Sequence, residues 1–155
     1  MRATARRMLS GCAQAAVLGC TLGSAFDRLL LETQARDMAQ AVILDACGGA
    51  LVEAGCDAAQ EELAGRFPDR YLTDRFSPGY GDLPLRLQSA LCALLDAQKR
   101  LGLFVTGSYM LNPVKSVTAV IGVADRPQPA RVRGCAYCAM RESCSFRKEG
   151  TDCGA

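Results

Sequence analysis

Three sets of residues in this 155-residue chain have types and spacings that could do chemistry. The first is "RFSPGY", Arg75 to Tyr80. Arg75 offers a planar fork that fits a carboxylate or phosphate with two parallel hydrogen bonds. Gly79 lets backbone approach a ligand closely. Tyr80 adds a flat face and a hydroxyl. Ser77 precedes Pro78 and is biased toward an extended conformation. The segment therefore predicts an extended run that turns sharply and aims Arg75 and Tyr80 at one place. A bare structural loop would use the same Pro and Gly. The second set is Gly48 and Gly49, flanked by Asp45 and Glu53, inside a predicted helix. Each glycine costs about 1 kcal/mol against Ala there. Close helix packing would account for them. So would a helix surface bared for a cationic ligand, with acids beside it. The third set is Cys135, Cys138, Cys144 and Cys153, spaced C-x2-C-x5-C-x8-C. Two residues between thiolates let both reach one ion. Four thiolates could hold Zn or an iron–sulfur cluster. Arg141, Arg147 and Lys148 would offset the charge of such a cluster. Unligated thiols or reversible disulfides are the alternative.

Bulk composition removes some function classes. The chain has no His, so no imidazole serves as base, proton shuttle or metal ligand. A net charge of +2 is too small to argue for nucleic acid or an anionic membrane surface. By this reading no stretch reaches the ~20 apolar residues of a membrane span, so no membrane partner is expected. The start, "MRATARRMLSGCAQAAVLGC", has the basic opening of a signal peptide. Its apolar part is broken by Ser10, Gly11, Cys12 and Gln14. A cytoplasmic location is therefore expected, where cysteines are thiols or metal ligands rather than disulfides. Cys12, Cys20, Cys47, Cys56 and Cys92 lie in apolar segments and read as small core residues.

The elements that would position these groups follow from periodicity. Residues 15–23 predict a short strand ending in a turn. Phe26, Leu29, Leu30 and Thr33 keep a helical period. A long helix is predicted over residues 36–67, stopped by Pro68. Helical spacing returns at Leu87, Leu91, Leu94 and Leu95, with Gly102 ending that helix. Residues 116–124 alternate, with Val117, Ala119, Ile121 and Val123 on one side of a half-buried strand. Helices come first and strands are few, which predicts an α+β fold. Residues 1–130 read as one domain and residues 131–155 as an irregular Cys-rich tail.

"RFSPGY" resembles the Arg-x-x-x-Gly-Tyr motif of the activation domain of cobalamin-dependent methionine synthase. The likeness extends over about Ala25 to Asp125. It keeps the family's order of motif, Pro, helix, "GLFVTGS", and a Pro before a Ser-Val strand. "ALVEAGCD" resembles the family's helix segment in which a Glu faces the ligand, and Glu53 matches that position. The resemblance implies helices packed on a small, mostly antiparallel twisted sheet. It implies a groove for S-adenosylmethionine built by Glu53, Arg75, Pro78, Gly79 and Tyr80. Arg75 would hold the ligand carboxylate and Glu53 would face its cationic end. The implied role is an accessory one, with no acid or base catalyst: reductive methylation of a cobalamin carried by a partner. That partner would be a corrinoid protein or a truncated methionine synthase, served by an electron donor protein. The chain departs from the family in three ways. It lacks the His that follows the motif in fused members, it has no evident counterpart of a later ligand-touching Tyr near Arg131, and it is short at its N-terminus. A free-standing form, inactive alone, is the expectation. The alternative is a small Cys-metal redox or interaction module that has lost the ligand.

Overall fold

A computed structural model describes residues 4–128 and 142–150. The first elements are α1 (Thr4–Leu9), β1 (Gln14–Thr21), α2 (Ser24–Arg36) and α3 (Met38–Arg66). Asp37 alone separates α2 from α3. Its carboxylate accepts from the Gln40 backbone N–H, capping the first turn of α3. The chain doubles back there, and the two helices pack as a hairpin. Gly48 faces the Phe26 ring, where any added methyl group would clash. Gly49 has open space beside it. Close helix packing is thus the structural role of Gly48, and Gly49 has no such partner.

The remaining elements are β2 (Tyr71–Leu72), α4 (Leu87–Leu94), α5 (Ala97–Leu101), β3 (Phe104–Val105), β4 (Leu111–Asn112), β5 (Ser116–Ala124) and α6 (Ser145–Lys148). The sheet is antiparallel with order β1-β5-β2, and β3 and β4 form a separate hairpin. Register places Cys20 opposite Val117, Leu18 opposite Ala119 and Ala16 opposite Ile121. Successive side chains leave a strand on opposite faces. Ala16, Leu18 and Cys20 face α3, where they pack with Cys56, Ala59 and Leu63. Gly19 faces the other way and meets Leu95 and Leu101 from the α4–α5 side. The architecture is therefore α+β, with helices on both faces of a small antiparallel sheet.

Three expectations need correction. The strand at 116–124 is not half-buried by alternation. As the central strand it is covered on both faces, so Thr118, Gly122 and Ala124 are buried as well as Ala119, Ile121 and Val123. The helix predicted from Leu87 to Gly102 breaks at Asp96, which takes the left-handed conformation (φ 48°). Asp tolerates that conformation better than most residues, and the break brings Ala97 and Leu103 into a cluster with Cys92. Finally, α3 is long and apolar enough to cross a membrane by length and composition, and most of that stretch is not buried. Here its inner face packs on β1 and β5 through Cys56, Ala59 and Leu63.

Candidate functional site

The segment carrying the motif runs along β5. Phe76 pairs with Val120 through both backbone hydrogen bonds (3.0 and 2.9 Å). Thr73 is fixed one register away, its hydroxyl accepting from the Gly122 N–H at 2.8 Å. This pairing sets the direction of the two neighbours. Phe76 is buried, and the Tyr80 ring meets its edge at a centroid distance of 6.2 Å. Arg75 turns toward α3.

Beyond Phe76 the chain reverses. Pro78 and Gly79 are the central residues of a turn closed by the Tyr80 N–H to the Ser77 carbonyl (3.1 Å). Gly79 has φ 88°, a conformation that favours glycine. A Cβ there would also sit 3.0 Å from Leu85. Tyr80 is 66% exposed. Arg75 belongs to a cluster on α3, whereas Tyr80 stays with Phe76.

The Arg75 side chain is only 5% exposed. Its Nη1 donates to Asp57 at 2.6 Å and to Gln60 at 3.2 Å, and its Nη2 donates to Glu53 at 3.0 Å. Burial works against the charged guanidinium. Hydrogen bonds to Asp57 and Glu53 more than offset it, so the pKa lies above its ordinary value. Glu53 and Asp57 are 54% and 63% exposed. Glu53, Asp57 and Gln60 are spaced i, i+4 and i+7, one face of a helix. That spacing was legible, and Asp57 and Gln60 are the residues sequence reasoning missed. The other flanking acid, Asp45, pairs with Lys115 at 2.9 Å.

The cluster has consequences for what it can bind. Two carboxylates against one guanidinium leave the group with a net negative charge. A guanidinium has five N–H donors, and three are engaged by α3. An incoming carboxylate therefore has two donors left to it beside the acids already in place, while an incoming cation meets two half-exposed carboxylates. Arg75, Asp57 and Gln60 also line an open cavity of about 780 Å³, walled by Glu61, Arg70, Tyr71, Thr73 and Gln128. Arg70 is tied across this wall to Asp125. Glu53, Pro78, Gly79 and Tyr80 are not among the lining residues.

Of the four cysteines expected to bind metal, Cys135, Cys138 and Cys153 lie outside the described residues. Cys144 is described, half-buried and a free thiol, one residue before α6. That short helix interrupts a tail expected to be irregular. Among the other five, Cys56 and Cys92 are buried and Cys12 and Cys20 half-buried, but Cys47 is exposed on α3 and is not a core residue.

No family model matches the chain, and no curated protein matches it. Among solved structures, one match is the crystal structure of the MetH reactivation domain bound to AdoHcy, at 20% identity and a TM-score of 0.66. The alignment covers 89% of this chain and 47% of the solved one, so the chain spans about half the length of that neighbour. At this identity the likeness shows the fold: nearly the whole chain takes the architecture of a methionine synthase reactivation domain.

Proposed function

We propose that the chain binds S-adenosylmethionine at the Arg75 cluster and serves as an accessory in the reductive methylation of a corrinoid carried by a separate protein. The observation that carries this proposal is the junction of Arg75 with Glu53 and Asp57. It unites the arginine of the Arg-x-x-x-Gly-Tyr motif with the acid matched upstream. The solved neighbour of like fold is bound to AdoHcy, which supports the same ligand class.

The donor set fits the ligand by charge. S-adenosylmethionine carries a sulfonium, an ammonium and a carboxylate, a net charge of +1, and the cluster carries the opposite sign. Its demethylated product has lost the sulfonium charge. The adjoining cavity lies within the ~300–1,000 Å³ usual for small-molecule sites. When bound, S-adenosylmethionine supplies a methyl group activated by its sulfonium. The chain contributes position: Asp57 and Glu53 face cationic atoms, and Arg75 orients both acids and offers its remaining donors to the ligand carboxylate. Alignment rather than proton movement is what such a transfer needs from the protein.

Calorimetry tests the proposal. S-adenosylmethionine is expected to bind more tightly than S-adenosylhomocysteine. Glu53→Gln should weaken the first by about three- to tenfold, in line with a half-exposed charge pair of ~1 kcal/mol, and change the second little. No binding of either at millimolar concentration refutes the proposal.

A further inference from the structure

Cys20 and Cys56 form a second feature of this site, on the buried side of α3. Cys20 projects from β1 into the core cluster that contains Cys56. Its Sγ lies 2.9 Å from the point where a Cβ on Gly55 would stand, so it rests on the helix backbone beside Cys56. Only glycine at position 55 leaves room for it there. Cys56 is wholly buried, adjacent in sequence to Asp57 and less than one turn from Glu53. The helix segment touching Cys20 on one side therefore holds Arg75 on the other.

We propose that Cys20 and Cys56 form a reversible disulfide that clamps α3 to β1 and restrains the Arg75 cluster. This inference concerns regulation of the binding site proposed above and rests on that assignment. The oxidant is a peroxide. The half-buried Cys20 sulfur attacks one peroxide oxygen, the O–O bond breaks, and Cys20 becomes a sulfenic acid with loss of water. The Cys56 sulfur then attacks the Cys20 sulfur. The S–S bond forms, the S–O bond breaks, and the hydroxyl leaves as water with the Cys56 proton. Two thiols thus lose two electrons and two protons, and one hydrogen peroxide becomes two waters. The order of events follows from the surroundings. Cys20 is half-buried and Cys56 wholly buried, so the peroxide reaches Cys20 first and Cys56 acts second.

The bond brings the sulfurs of these two packed side chains to covalent distance, pulling the 53–57 stretch toward β1. In the proposed site Asp57 and Glu53 face the ligand while Arg75 holds them, so a helix drawn toward β1 carries both acids off the ligand and binds more weakly. The test uses the full chain, reduced and then treated with hydrogen peroxide. Tryptic mapping should yield a peptide containing Cys20 joined to one containing Cys56, two hydrogens lighter than the sum. Cys20→Ser should abolish it, whereas Cys12→Ser and Cys47→Ser should not. Amide exchange over residues 53–63 should slow on oxidation and recover with dithiothreitol. Affinity for S-adenosylmethionine should fall at least threefold in oxidised wild type and not in Cys20→Ser treated alike. Absence of the cross-link, or a cross-link that leaves exchange and affinity unchanged, overturns the inference. If the reduced protein fails to bind S-adenosylmethionine at all, the proposed function fails, and mapping and exchange still judge the disulfide.

Discussion

Replacing Arg75 by Met tests whether the cluster is a set of real interactions. The guanidinium end is buried, while both acids remain half in water. Each hydrogen bond to a charged group contributes about 1.5–3 kcal/mol when well formed. Exposure of Glu53 and Asp57 lowers that, because each can recover water when abandoned. Met keeps much of the buried stem packing. The expected loss is therefore about 2–3 kcal/mol, below the ~3–5 kcal/mol for breaking a fully buried pair. In urea this moves the midpoint down by roughly 1 M or more. Arg75→Lys should lose nearly as much, since an ammonium lacks the fork that reaches Asp57 and Glu53 together. Double-mutant cycles divide the effect. Arg75→Met with Asp57→Asn should show coupling of about 1 kcal/mol, larger than with Glu53→Gln, because the Asp57 contact is shorter (2.6 against 3.0 Å). Couplings below about 0.3 kcal/mol in both cycles, at the scatter of additive sites, refute the cluster.

Three further outcomes are expected. Gly48→Ala should cost about 1–3 kcal/mol by forcing the Phe26 ring aside, whereas Gly49→Ala, with open space, should stabilise by about 0.5–1 kcal/mol; denaturant melts that show one sign for both would remove the packing role from Gly48. Cys12, Cys56 and Cys92 all have thiols raised from 9.0 by burial. A raised folded pKa gives stability present below pH 9 and lost as pH climbs from there toward the folded value, near 12 for Cys56. Stability should therefore fall above pH 9, by up to about 1.4 kcal/mol per unit for each such thiol, and Cys56→Ala should flatten that slope. In the tail, anaerobically purified protein should carry Zn or Fe that is lost when Cys135 and Cys138 are replaced together; elemental analysis finding less than about a tenth of an equivalent in reduced protein leaves the four as free thiols.

The main elements were legible because their signals are local. The long Pro-free, helix-favouring run of residues 38–66, the stop at Pro68 and the alternation of residues 116–124 are each read from the local chain alone. What was not legible depends on contacts distant in sequence. Nothing in "SVTAVIGVA" says that β1 and β2 will flank it on either side, so its full burial could not be read from alternation. The break at Asp96 uses a residue that tolerates the left-handed conformation, but the reason for it there, the packing of Ala97 and Leu103 with Cys92, is not local. The two-residue strands β2, β3 and β4 are too short to show a period. At the site, Arg75 and Glu53 were found by motif, yet their direct contact was not expected. Asp57 and Gln60 lay in plain view at helical spacing from Glu53, but only knowing that Arg75 faces α3 turns that spacing into a set of partners.

The same contact changes how the motif arginine works. A free arginine on a loop would recruit an anion by charge alone. Here the arginine arrives already neutralised, pinned by Phe76 pairing on β5 and by two acids on α3. Its preorganising effect falls on the acids: it holds Glu53 and Asp57 on one side of the helix against their mutual repulsion, where a cation can use both. Under the proposed function, selectivity for a ligand with one extra positive charge would come from the cluster's sum rather than from any one residue. The close approach of Gly55 and Cys20 bears on the same geometry: any shift of α3 across β1 moves both acids relative to an arginine whose backbone neighbour is paired on the sheet.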